Sequence, residues 1–264
     1  MILGPEIILN QTMEPQNMKK ILKSIVSSIL LSVSLGLVTA QAQVSVDEAL
    51  ASPARPEEDR ARDAGRMPAQ VLEFFGVGAG SQVADLLAGG GYYTRILVPV
   101  VGPDGAVYAG NNPFFLRFVE EEMNALLAEP GFENVMRIDG PVDEIGLPGD
   151  GSLDAAIMAL AYHDLFLTEE DRGELNRRVL AALKPGGVYG IIDHHAAEGA
   201  GDSVVESLHR IEESVIVDEI TGAGFELAAS GDFLSNPDDD RSLIVFNPDI
   251  RGRTDRFVLR FEKP

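Results

Sequence analysis

Hydrophobic and polar positions along the chain alternate between two periods. Short apolar runs of four to seven residues read as strands: Val83–Leu87, Ala106–Ala109, Val135–Ile138, Asp154–Leu160, Val188–Ile192 and Phe225–Ala229. Between them lie longer stretches with helical spacing. One carries Ile96, Leu97 and Val100 and ends near Val101; another starts at Pro113, suited to a first helical turn, and runs to about Ala128. A third ends at Lys184-Pro185-Gly186-Gly187, a strong stop signal, and a fourth covers roughly 213–222. Thr168 with Asp171 reads as a capping box for the third. Arg256–Phe261 alternates as an antiparallel strand does. Strands alternating with helices predict an α/β fold with a largely parallel sheet.

Two segments fall outside this rhythm. A helix is expected from about Pro56 to Phe75, charged at first and then apolar, with Pro68 breaking it in two. Residues 236–254 read as an insertion carrying Asp238-Asp239-Asp240-Arg241 and a short strand, Leu243–Phe246; a lid and a plain hairpin both fit it. The domain proper is expected over 82–264, preceded by a lead and helix over 43–81.

The N-terminus has a different character. Met18-Lys19-Lys20 and Lys23 precede an apolar run from Ile25 to Val38, and Ala40-Gln41-Ala42 is a small-x-small cleavage site. This is the layout of a secretory signal peptide, 18–42, and the run is shorter than the ~20 residues of a membrane span. Residues 1–17 then read as upstream sequence from a mis-set start codon. The expected product is periplasmic, with no stable membrane insertion after cleavage.

Composition narrows the partners. The chain has 264 residues and a formal charge of −21, from 42 acids against 21 bases, which argues against nucleic acid or an anionic membrane as partner. There is no cysteine, which excludes disulfides, thiolate metal sites and a cysteine nucleophile.

The stretch that organises the chain is Asp85-Leu86-Leu87-Ala88-Gly89-Gly90-Gly91-Tyr92-Tyr93-Thr94. It reads as a strand, a glycine turn and a helix, a crevice where backbone N–H groups face a ligand. Here the chain resembles the class I S-adenosylmethionine-dependent methyltransferases, whose first motif is an acid in strand one followed by Gly-x-Gly-x-Gly. Asp85, Gly89 and Gly91 match, and Leu87 stands where the first glycine is expected. Leu183-Lys184-Pro185-Gly186-Gly187 before strand five is the most characteristic local match. The dinucleotide fingerprint Gly-x-Gly-x-x-Gly fits worse, since Thr94 occupies the place of its third glycine. With Arg62-Asp63-x-x-Arg66-x-Pro68, Tyr162-His163-Asp164, Asp193-His194 and Arg251-Gly252-x-Thr254-Asp255-Arg256-Phe257, the whole pattern is similar to a group of exported, predicted methyltransferases of Gram-negative bacteria.

The resemblance implies a Rossmann-like fold with a seven-stranded mixed sheet of order 3-2-1-4-5-7-6, helices on both faces, and S-adenosylmethionine as cofactor. It places the cofactor at Asp85, Gly89, Gly90 and Gly91. It assigns Asn111 to the position of the acid that grips the ribose, and Asp143, five residues before Pro148, to the adenine, with Asp139 as the competing choice. Arg66 can meet a cofactor carboxylate.

All four histidines lie after position 160: His163 follows strand four, His194 and His195 follow strand five, and His209 sits beyond the next loop, and these strand ends share one rim of a parallel sheet. His163 is the first candidate for a general base, oriented by Asp164 or Asp193, with His194 beside it; His195 reads as a structural cap. Zinc ligation by three histidines and one of these aspartates is the other reading. The spacing matches no zinc signature, so no metal is assigned. Two functions follow: a methyltransferase acting on a small molecule, or a non-catalytic ligand-binding or interaction protein that kept the fold. Export makes its own prediction. Mass spectrometry of the native protein should find an N-terminus near Gln43, and an intact Met1 in a cytosolic fraction would refute it.

Overall fold

The computed structural model describes residues 44–264, so the expected upstream segment, signal peptide and cleavage site lie outside the described residues. The helices are α1 (Val46–Leu50), α2 (Glu57–Arg66), α3 (Pro68–Phe75), α4 (Tyr92–Val101), α5 (Pro113–Leu127), α6 (Arg172–Ala182), α7 (Val205–Leu208) and α8 (Glu213–Gly222). The strands are β1 (Gln82–Leu86), β2 (Ala106–Gly110), β3 (Val135–Arg137), β4 (Leu153–Ala159), β5 (Leu183–His194), β6 (Glu226–Gly231) and β7 (Arg256–Glu262), and a 3-10 turn spans His163–Leu167. The sheet order is β3-β2-β1-β4-β5-β7-β6, as expected. β1 pairs in parallel with β2 and β4, and β7 runs antiparallel between β5 and β6. No helix among the described residues is long and apolar enough to cross a membrane.

Both faces of the sheet are covered, which is why its central strands read as unbroken apolar runs rather than alternating ones. Successive side chains still point to opposite faces. Leu86, Met158, Tyr189, Ile191, Leu259 and Phe261 share one core with α6 and α8. Val83, Ile157, Val188 and Val258 share the other with α3 and α4. Gly190 marks a close approach of α3 to the sheet. A Cβ there would lie 2.6 Å from the Phe75 ring of α3.

Local chemistry explains most boundaries. Met67, at φ 46° and ψ 50°, ends α2 in the left-handed region, and Pro68 opens α3, where its missing N–H costs nothing. Three expectations are corrected. The cap of α6 is Asp171 alone, its carboxylate accepting from the Glu174 N–H at 2.9 Å. Thr168 donates to the Leu165 carbonyl at 2.9 Å, because the 3-10 turn rather than α6 ends beside it. β5 starts at Leu183, five residues before Val188: Leu183 pairs with Leu153, and the register slips before Val188. Leu243–Phe246 forms no strand; only turns occupy it, and Asn247-Pro248 ends the run before a ladder can form. α1, not anticipated from the sequence, is closed by a capping box in which Ser45 and Glu48 satisfy each other's backbone N–H.

Gly190→Ala should lower the unfolding free energy by about 1–3 kcal/mol through overpacking against Phe75. Gly78→Ala, with nothing within 4 Å of its added methyl, should stay within about 0.5 kcal/mol. Equal effects in urea denaturation would contradict this packing.

Candidate functional site

The glycine turn lies at the exit of β1, between β2 on one side and β4 on the other, the switch point of the sheet. Asp85 is 2% exposed, and its carboxylate accepts from Thr94 Oγ1 at 2.6 Å. It thereby pins the first turn of α4 to β1. Burial pushes its pKa up to about 6, against the Thr94 hydrogen bonds and the Arg66 charge, which favour the ionised form.

Gly89 and Gly91 both have positive φ. The space a side chain at Gly89 would fill is open, whereas one at Gly90 would meet Glu122 and one at Gly91 would meet Leu126, both on α5. A side chain at Gly90 or Gly91 would therefore have to displace a side chain of α5, whereas Gly89 faces open space. Leu87, where the resemblance places a glycine, adopts φ 52°, a conformation that costs a non-glycine residue roughly 1–2 kcal/mol. Its side chain is buried in the core, which offsets that cost.

Asn111 is fully buried. Its Oδ1 accepts from the Gly89 N–H at 2.8 Å and its Nδ2 donates to the Gly89 carbonyl at 3.1 Å. The side chain expected to face a ribose instead staples β2 to the glycine turn. Asp139 accepts from the Asn111 backbone N–H at 2.9 Å and pairs with Arg137. Asp143 takes no hydrogen bond among the described residues and is half-buried in the following turn. Of the two acids weighed from the sequence, Asp139 is the one that touches the exit of β2.

His163, His194 and His209 come together, the latter two with ring centroids 5.8 and 5.5 Å from that of His163. His163, 2% exposed, opens the 3-10 turn after β4. Its Nδ1 lies 2.6 Å from Asp193 Oδ1 and its Nε2 3.2 Å from Asp164 Oδ1. Burial disfavours its charge, yet Asp193 and Asp164 outweigh that and raise its pKa. A carboxylate thus faces each ring nitrogen of His163: Asp193 orients the ring from Nδ1, and Asp164 stands at Nε2, the nitrogen that a general base would use. His209 Nδ1 stands 3.1 Å from the same Asp164 oxygen. His194 is different. Burial first, then the His163, Arg256, Arg210 and Arg66 charges, hold its pKa well below the usual value, so it is neutral. Its Nδ1 meets Thr254 Oγ1 at 2.7 Å. His195 stacks edge-on against Phe257, with ring centroids 4.9 Å apart, as a structural role requires.

Sequence reasoning left one feature unread. A small recess at the rim is lined by Arg66, Tyr93, Leu160, Ile192, Leu234 and Arg256. Arg256 donates to the Thr254 and Gly65 carbonyls, and Arg66 stacks over the Tyr92 ring at 4.4 Å. Among the described residues neither guanidinium forms an ion pair with a carboxylate. Their burial lowers both pKa values. Arg66 was singled out from the sequence; its pairing with Arg256, 190 residues away, has no sequence signal. A larger cavity of about 810 Å³ lies elsewhere, between α1, α4 and the loop after α5, lined by Val44, Arg55, Val98 and Phe132. It does not include the glycine turn.

No family model matches the chain, and no curated protein does. Solved structures share its architecture. A SAM-dependent methyltransferase from Aquifex aeolicus is 20% identical with a TM-score of 0.54, covering 80% of this chain and 99% of that one. An S-adenosylmethionine-dependent methyltransferase from Mesorhizobium loti is 19% identical with a TM-score of 0.52, covering 75% and 97%. An arsenic(III) S-adenosylmethionine methyltransferase from Chlamydomonas reinhardtii is 17% identical with a TM-score of 0.52, covering 84% and 73%. With the strand order, these define the Rossmann-like methyltransferase fold.

Asp85 supplies a pH test. Its folded pKa lies above its unfolded one, so its contribution to stability is complete below about pH 4 and is lost as pH rises through about 6. Asp85→Asn keeps an acceptor for Thr94 and should abolish that loss, worth roughly 3 kcal/mol at most. A mutant and parent with parallel stability profiles from pH 4 to 8 would contradict the assignment.

Proposed function

We propose that the protein binds S-adenosylmethionine at the β1 exit and transfers its methyl group to a small molecule. The observation that carries this reading is the glycine turn at the switch point, with Gly89 open, set in the methyltransferase strand order. Methyl transfer from a sulfonium needs in-line positioning and, for a protonated nucleophile, a base. The residue here assigned as the base is His194, which has no carboxylate on either ring nitrogen and is held by Thr254 on its Nδ1 side. The unpaired Arg66 and Arg256 suit a carboxylate, from the cofactor's amino acid portion or from the acceptor.

A second reading, a non-catalytic ligand-binding protein, is favoured by one specific observation. Asn111 spends its whole side chain on Gly89 and leaves the β2 exit without the acid that the family uses for the ribose.

Calorimetric titration separates the two. Binding of S-adenosylmethionine and of its demethylated product is expected, and no heat at high ligand concentration would remove the first reading. If binding is found, His194→Asn should leave affinity nearly unchanged while lowering turnover about 10²–10⁴-fold in a methyl-transfer assay.

A further inference from the structure

The geometry points to a divalent transition-metal site formed by His163, Asp164 and His209. Two of these residues belong to the turn after β4, and the third lies beyond β5, just past α7. Their ligand atoms all lie within 4.8 Å of one another. Asp164 Oδ1 is 3.2 Å from His163 Nε2 and 3.1 Å from His209 Nδ1. A tetrahedral ion with bonds of about 2.0–2.1 Å places its ligand atoms roughly 3.3 Å apart, so the two spacings to Asp164 already suit one, and the two imidazoles need only draw together around it.

The surroundings are those of a built ligand set. Asp193 is fully buried at the end of β5. It accepts from the His163 backbone N–H at 2.9 Å and meets the ring Nδ1 at 2.6 Å. A carboxylate on Nδ1 fixes the proton there and leaves Nε2 as the donor atom, the arrangement that metal-bound imidazoles commonly have. His209 is held at φ 51°, a strained conformation for a residue with a side chain. Its ring is backed by Phe246 of the insertion, with centroids 4.8 Å apart. That contact gives the insertion a part in the site.

Two imidazoles and one carboxylate select a borderline ion of the zinc or cobalt class over magnesium or calcium, which prefer all-oxygen sets. Three protein ligands leave at least one position for water or an acceptor atom. A metal takes the lone pair of each imidazole and the ionised carboxylate, so affinity should fall as pH is lowered. The His163 and His194 ring centroids are 5.8 Å apart, so the ion would neighbour the rim described above. The proposal is independent of S-adenosylmethionine binding and is tested without it.

Chelator-treated protein is titrated with Zn²⁺ by calorimetry and with Co²⁺ by visible absorption. One ion per chain is expected, with cobalt bands of low-coordinate type. Asp193→Asn should weaken binding about 10–100-fold, and His209→Ala and Asp164→Asn by more, with folding of each confirmed by circular dichroism. His195→Ala, outside the set, should bind as the parent does. Absence of binding in the parent would overturn the proposal in favour of a purely hydrogen-bonded His–Asp–His bracket. So would binding that survives both His209→Ala and Asp164→Asn, which would place the ion elsewhere.

Discussion

A buried carboxylate at the end of β5 organises the rim. Asp193 is fully buried, and an ionised group there is unfavourable unless its oxygens are satisfied. Three partners do this: the His163 backbone N–H, the His163 ring and the His194 backbone N–H at 2.7 Å. The first two belong to the turn after β4, so one side chain ties the exits of neighbouring strands together. Deleting one partner of such a buried pair typically costs about 3–5 kcal/mol, since the other charge is left uncompensated. The same bond sets the orientation of His163, and through it the direction in which Nε2, Asp164 and His209 meet. The charge on His163 in turn helps to keep His194 neutral. Burial and the charged groups around it thus push the two neighbouring rings in opposite directions, His163 up and His194 down.

Backbone strain collects around this point. Leu87 at the β1 exit, Leu160 at the β4 exit and His209 beyond β5 all have positive φ without being glycine. Each is over-determined by its neighbours: Leu87 by the core, Leu160 by its N–H to the Ile192 carbonyl at 2.7 Å, and His209 by Asp164 and its N–H to Val205. Strained residues persist where surrounding structure holds them and where a site gains from fixed geometry. Met67 and Arg241 are the other non-glycine residues with positive φ among the described residues, and of the five, Leu87 and Leu160 stand directly after strands.

Most of the fold was legible because its signals are periodic and local. Strand runs, the glycine turn, Lys184-Pro185-Gly186-Gly187 and the break at Pro68 each depend on residues a few positions apart. The site was legible only to the level of which strand exit carries which residue. That His163, His194 and His209 would share a rim followed from topology. That both His163 nitrogens would face carboxylates did not, because it depends on the rotamer of a side chain 30 residues away. Asn111 shows the same limit. Its position was anticipated, but its capture by the Gly89 backbone requires the β2 exit and the turn to be in register. That Arg66 and Arg256 line one recess depends on chain positions 190 residues apart, and no spacing rule could reach it.

The insertion illustrates how a buried charge decides between readings that the sequence left equal. Arg210 is fully buried and grips Asp239 with two bonds, at 2.9 and 3.1 Å, while its other nitrogens donate to the Leu243 and His195 carbonyls. Asp239 also accepts from the Asp255 N–H at 2.7 Å, and Arg241 reaches both Asp255 and the Ala196 carbonyl. A segment that swung open as a lid would expose or strand this guanidinium and its acid together, at the cost that attends unpaired buried charge. The insertion is therefore better described as a fixed wall. Because Arg210 follows His209 directly, the ties that hold the wall also hold the ring that Phe246 covers. Rigidity in the insertion and precision at His209 are the same constraint, reached from opposite ends of one buried ion pair.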